Sequence, residues 1–112
     1  MGKRFVELSG RGSGIPDYAP ETIGSGRQVI PTAGTAVQLA STLTIGGIII
    51  VAEFTNTGIV CVGDLNVVAA ELTRQGVPLN AGDGVIICID NISKIWIDST
   101  SDGDGVTYTM VG

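Results

Sequence analysis

The chain has 112 residues, enough for one domain whose core folds without a metal or a disulfide framework. Its 44% apolar content comes from Val, Ile, Leu and Ala rather than aromatics, 17 glycines interrupt it, and histidine is absent. The commonest general base near neutral pH, metal ligand and proton shuttle are therefore missing together, which argues against an enzyme.

The net charge of −5 is unevenly spread: residues 1–27 hold four cations against three carboxylates, while residues 28–112 set Arg74 and Lys94 against eight carboxylates. So acidic a surface repels phosphates, and no direct nucleic-acid binding is expected. The longest apolar run, Ile48-Ile49-Ile50-Val51-Ala52, is far short of the roughly 20 residues that cross a bilayer, so no membrane association is expected. The basic residues at the start have no apolar stretch behind them, which predicts no secretory signal and synthesis in a cytoplasm.

Residues 1–26 are rich in glycine, carry two prolines and show little apolar periodicity, and so read as an extended arm. Phe5, Val6, Leu8, Ile15 and Tyr18 are apolar points on it that can dock on a neighbour. From residue 27 the pattern becomes strand-length runs separated by turn signals, which predicts an all-β domain over 27–112: a single antiparallel β-sandwich of about seven strands.

Strands are expected over 28–31 and 36–40, then a long central one over 47–55, closed by the turn Asn56-Thr57-Gly58 with a hairpin return over 59–62. In that return Ile59 and Cys61 share one face and Val60 and Val62 the other, so both faces should be covered. Residues 64–76 lack strand alternation and read as a loop, with a helical turn tolerated near Ala69 to Leu72. Turn chemistry over 77–83 delivers the chain into a strand over 85–89, and another follows over 92–98. There Ile95 and Ile97 oppose Lys94, Trp96 and Asp98, which places Trp96 half-buried or at an interface. Asp102-Gly103-Asp104-Gly105 turns the chain into a closing strand over 106–111, with Val106, Tyr108 and Met110 on one face.

Asp98, Asp102 and Asp104 together suggest an oxygen-ligand cation site, but the spacing misses the EF-hand loop and no glutamate closes it; an aspartate-glycine turn is the better reading, and no metal or cofactor is expected. Gly10-Arg11-Gly12-Ser13-Gly14 lacks the strand, helix and lysine of a phosphate cradle. Cys61 and Cys88 fall on runs that can be neighbouring strands; a disulfide is open, and free buried thiols are favoured. Neither has a basic neighbour in sequence to activate it.

Four segments resemble small β-sandwich accessory proteins of tailed-phage virions. They are Arg27-Gln28-Val29-Ile30-Pro31-Thr32-Ala33-Gly34-Thr35-Ala36-Val37-Gln38-Leu39, Asn56-Thr57-Gly58-Ile59-Val60-Cys61-Val62-Gly63-Asp64, Gly76-Val77-Pro78-Leu79-Asn80-Ala81-Gly82-Asp83, and the close Ile92-Ser93-Lys94-Ile95-Trp96-Ile97-Asp98 with Gly103-Asp104-Gly105-Val106-Thr107-Tyr108. The match runs in order over 27–112, and isoleucine-tryptophan at 95 and 96 is a small departure from it.

The resemblance implies a virion location and a capsid decoration, or cement, protein that binds the outer shell as a homo-oligomer, with a trimer favoured. Its partner would be the major capsid protein or another virion protein. Phe5, Val6, Leu8, Ile15 and Tyr18 would carry the arm's contacts, on the shell or on a sister subunit, with Trp96 a further interface residue. Two alternatives stay open: a tail, neck, baseplate or fibre component, and, from another class, a carbohydrate-binding module, for which the five aromatics form a thin platform.

Overall fold

The computed structural model describes residues 5–8 and 22–112. Among the described residues it is an all-β sandwich of nine strands: β1 (Phe5–Leu8), β2 (Ile23–Val29), β3 (Val37–Gln38), β4 (Gly47–Ala52), β5 (Val60–Gly63), β6 (Val77–Leu79), β7 (Gly84–Ile87), β8 (Trp96–Ser99) and β9 (Gly105–Val111). One sheet has the order β1-β7-β4-β9-β2 and the other β3-β8-β5-β6. Every pairing is antiparallel except β1 on β7, which is parallel with Phe5 opposite Gly84 and Leu8 opposite Ile87.

The core follows from period-two alternation. Ile48, Ile50 and Ala52 of β4, Val85 of β7 and Val106 of β9 point inward from the first sheet, meeting Val60, Val62, Leu79 and Ile97 from the second. Ile30, Leu39, Ile45, Ile92 and Ile95, from the connecting segments, close its ends. On the outer side of β5 a smaller cluster of Cys61, Val67 and Ala69 gathers Ala36, Ile59 and Trp96, so both faces of this strand are covered.

Four sequence expectations change. β2 begins at Ile23, four residues before the boundary expected at 27, because Gly24 and Gly26 are strand residues. They pair with Met110 and Tyr108. A Cβ at Gly26 would strike the Tyr108 hydroxyl, and one at Gly24 would lie 2.8 Å from Met110 Cε. Both glycines are there for space rather than for looseness, letting two large side chains lie across β2.

β5 is not the hairpin return of β4. β4 pairs with β7 and β9, whereas β5 pairs with β6 and β8 in the opposite sheet. The turn at Asn56 is real, but it carries the chain from one layer to the other. Residues 77–79, expected as a turn, form the short edge strand β6, with Pro78 opposite Cys61. The run over 92–98 is divided: Ile92–Lys94 is a 3-10 turn whose Ser93 amide donates to the Asn91 side chain, and only β8 is extended. The helical turn expected near Ala69 to Leu72 is a single 3-10 turn at Glu71–Thr73.

Candidate interaction surfaces

The acidic residues that looked like cation ligands are used as staples. Asp98, buried at the end of β8, accepts a hydrogen bond from the backbone N–H of Gly34 at 3.0 Å and from that of Ala69 at 2.9 Å. Asp104, also buried, accepts from the amides of Thr57 at 3.0 Å and Gly58 at 2.8 Å. Asp102 takes the Ala33 amide at 2.7 Å. Asp83 takes the Asn80 amide at 3.1 Å and closes the turn in which Gly82 has φ +88°.

A buried carboxylate is tolerated only when its oxygens are saturated by donors, and backbone amides supply them here. Among the described residues, no group of three or more Asp, Glu, Cys or His side chains is placed to hold a metal ion. By these hydrogen bonds Asp98, Asp102 and Asp104 tie separate loops to the sandwich.

The staples fix a protruding segment on the outer side of the second sheet. Residues 64–76 begin with an Asp64 side chain that accepts from the Asn66 amide at 3.0 Å. A bridge between Val68 and Gln75 closes the loop upon itself, Arg74 Nε donates to the Ala69 carbonyl at 3.0 Å, and Asp98 holds Ala69 from beneath. Gly76 has φ +117°, and a Cβ there would lie 2.8 Å from the Val62 carbonyl oxygen and 2.9 Å from Val67 Cγ2, so no side chain fits. On this pinned scaffold two leucines point away from the protein: Leu65 is 64% exposed and Leu72 is 96% exposed. Isolated exposed leucines are common; here both stand on one loop that is tied down by its own hydrogen bonds.

The sheet edges form the second surface. β1 lies on the outer edge of β7, while β2, at 23–29, forms the opposite edge of the same sheet. Of the arm residues expected to bind a partner, Phe5, Val6 and Leu8 occupy β1, at register positions opposite Gly84, Val85 and Ile87. Ile15 and Tyr18 lie outside the described residues, as does the glycine-rich run at 10–14.

Trp96 is half-buried against the cluster of Cys61, Val67 and Ala69 beneath the 64–76 loop. The aromatic that stands out is Phe54, 67% exposed beside Gly82. Sequence reasoning passed over it because 47–55 read as one continuous buried strand; β4 in fact ends at Ala52. Leu65 and Leu72 were missed inside a segment recognised only as a loop, although two leucines among polar residues without strand alternation were the available signal.

The two thiols differ. Both are free; Cys61 is buried on the outer side of β5, and Cys88 is exposed one residue beyond β7, in the other sheet. The expectation of two buried thiols thus fails at Cys88, since β7 stops at Ile87 and leaves the next side chain to solvent. Burial pushes the Cys61 thiol pKa up, with the nearby Arg74 pulling the other way. A protonated, enclosed sulfur is a packing group and not a nucleophile.

Among the described residues no helix is long and apolar enough to cross a membrane. No protein-family model matches the chain, and comparison with curated proteins finds no match.

Proposed function

We propose that this protein is a structural component of a phage virion that decorates the outer capsid surface, as a homo-oligomer, and stabilises the shell against the major capsid protein. One observation carries the reading: the four segments that resemble virion accessory proteins are tied to one another in space. Gly34 of the first is held by Asp98 of the last, and Thr57 and Gly58 of the second by Asp104 of the last. The second pairs with the third through Val60 opposite Leu79. The resemblance therefore falls on the residues that hold this sandwich together, and it describes a fold-defining set rather than scattered turn residues.

The sandwich then offers the pinned Leu65 and Leu72 outward as apolar contacts. Each such contact is weak, and symmetric repetition over an oligomer multiplies it through effective concentration.

The test is to mix the purified chain with empty shells of a tailed phage and sediment them. Saturable pelleting in many copies per shell, with a raised temperature of shell disruption, is the expected result. A chain that stays in the supernatant overturns the decoration reading. Binding in only a few copies per particle moves the protein to a tail, neck or fibre position.

A further inference from the structure

We infer that the outer edge of β7 is a strand-acceptor site that, in the assembled oligomer, is filled by Phe5–Leu8 of a second copy of this chain. The inference rests on the homo-oligomeric reading above and deepens it by naming the segment and the edge that join the copies.

The four strands at the ends of the two sheets are β1, β2, β3 and β6. Three of them carry features that blunt an edge against further pairing. β3 has two residues, β6 has three with a proline in the middle, and β2 contains Gly24, Gly26 and Arg27. β7, which would be the edge if β1 were removed, is longer than β3 and β6, and its one glycine, Gly84, stands at its first position. Its sequence Gly84-Val85-Ile86-Ile87 carries no charge and no proline, and it leads into the uncharged Cys88. Left open, such a strand is a template for a further chain. β1 supplies that further strand, and β7 is its one hydrogen-bonded neighbour in the sheet.

The connection from β1 makes exchange between copies inexpensive. Leu8 lies in register with Ile87, Ile48, Met110 and Gly24, so the end of β1 and the start of β2 sit at the same end of the sheet but on opposite edges. Crossing four strand spacings requires about 19 Å. The fourteen residues 9–22 between Leu8 and Ile23 can extend about 46 Å. That surplus lets the same strand reach the β7 edge of an adjacent copy with the same parallel register, and exchange of identical elements conserves every contact of the closed form. Because donor and acceptor are different patches, the contact is head-to-tail, and it closes into a ring when the rotation permits. A trimer held by three exchanged strands satisfies that geometry.

Disulfide trapping across the pair Glu7 and Ile86 tests the exchange without any shell, so it can fail while shell binding stands, or the reverse. In a Cys88→Ser background, one chain carries Glu7→Cys and another carries Ile86→Cys, and the two are co-expressed and oxidised. The expected product is a covalent pair of twice the chain mass, and a chain carrying both cysteines should link into multimers.

Internal disulfides confined to chains of single mass would overturn the inference, as would the absence of any link. A second readout uses the full chain with Val6→Pro or Glu7→Pro. Adjacent residues of a parallel strand alternate in which edge their N–H faces, so one of the two removes a ladder bond. That variant should lose the oligomer, and an unchanged mass for both would overturn the proposal.

Discussion

The side chain of Asn56 and the backbone of Gly105 exchange two hydrogen bonds: Asn56 Nδ2 donates to the Gly105 carbonyl and the Gly105 amide donates to Asn56 Oδ1, each at 2.9 Å. An amide side chain thus pairs as a strand residue would, at the point where the chain leaves the first sheet for the second. Asn56→Ala should cost about 2 kcal/mol from two lost hydrogen bonds. Asn56→Asp, which keeps the acceptor and turns the donor into a second acceptor facing a carbonyl, should cost at least as much. Urea unfolding of both variants, read by Trp96 fluorescence, checks the order.

Asp98 couples two loops that are far apart in sequence. Asp98→Ala strands the Ala69 amide and leaves the Gly34 amide with only its 3.3 Å bond to the Ser99 carbonyl, and should destabilise by about 2 kcal/mol. Hydrogen exchange gives the sharper readout: these two amides should lose protection in the variant well before the amides of β4.

Gly26 should not accept even one methyl group. Gly26→Ala forces the Tyr108 ring aside and should cost about 1–3 kcal/mol. Tyr108→Phe in the same chain removes the nearest atom and should recover part of the loss, measured as the difference in thermal midpoint between the single and double variants.

The buried thiol predicts a pH effect of definite sign. The folded state holds Cys61 protonated to higher pH than the unfolded chain does. Its contribution is therefore complete below the ordinary thiol pKa of about 8.5 and is lost as pH rises through the raised folded value. Denaturant midpoints should fall more steeply above that pH in the wild type than in Cys61→Ala. In the native protein iodoacetamide should label Cys88 and leave Cys61 untouched until the chain unfolds.

Leu72→Asp and Leu65→Asp separate binding from folding. Both side chains are mostly in solvent, so the change in stability should stay within about 0.5 kcal/mol. If these leucines touch the shell, the sedimentation assay should show a weakened or lost interaction for the double variant.

The all-β class, the alternation of β4 and β9, the covered faces of β5 and the half-buried Trp96 were legible because each follows from a period of two. Which strand pairs with which was not. Asn56-Thr57-Gly58 reads equally well as a hairpin turn and as a bridge between layers, and Asp104, some 46 residues away, makes it the latter. The start of β2 was hidden for a related reason: Gly24 and Gly26 have the composition of a loop, and only the presence of Tyr108 and Met110 across the strand makes them sheet residues. For the candidate surfaces, the apolar residues Phe5, Val6 and Leu8 stand plainly in the sequence, whereas their pairing with β7, the second strand of its sheet, depends on a partner some 80 residues away.

The staples also divide the chain into positions that can drift and positions that cannot. Asp83, Asp98, Asp102 and Asp104 grip main-chain N–H groups, which every residue except proline provides. Ala33, Thr57 and Asn80 can therefore change in descendants without loosening a clasp, while the four aspartates must stay and the buried Ala69 must stay small. Distant kin of this chain should be recognisable by a spaced set of aspartates and turn glycines even after the gripped loops have diverged, leaving exposed positions such as 65 and 72 free to vary.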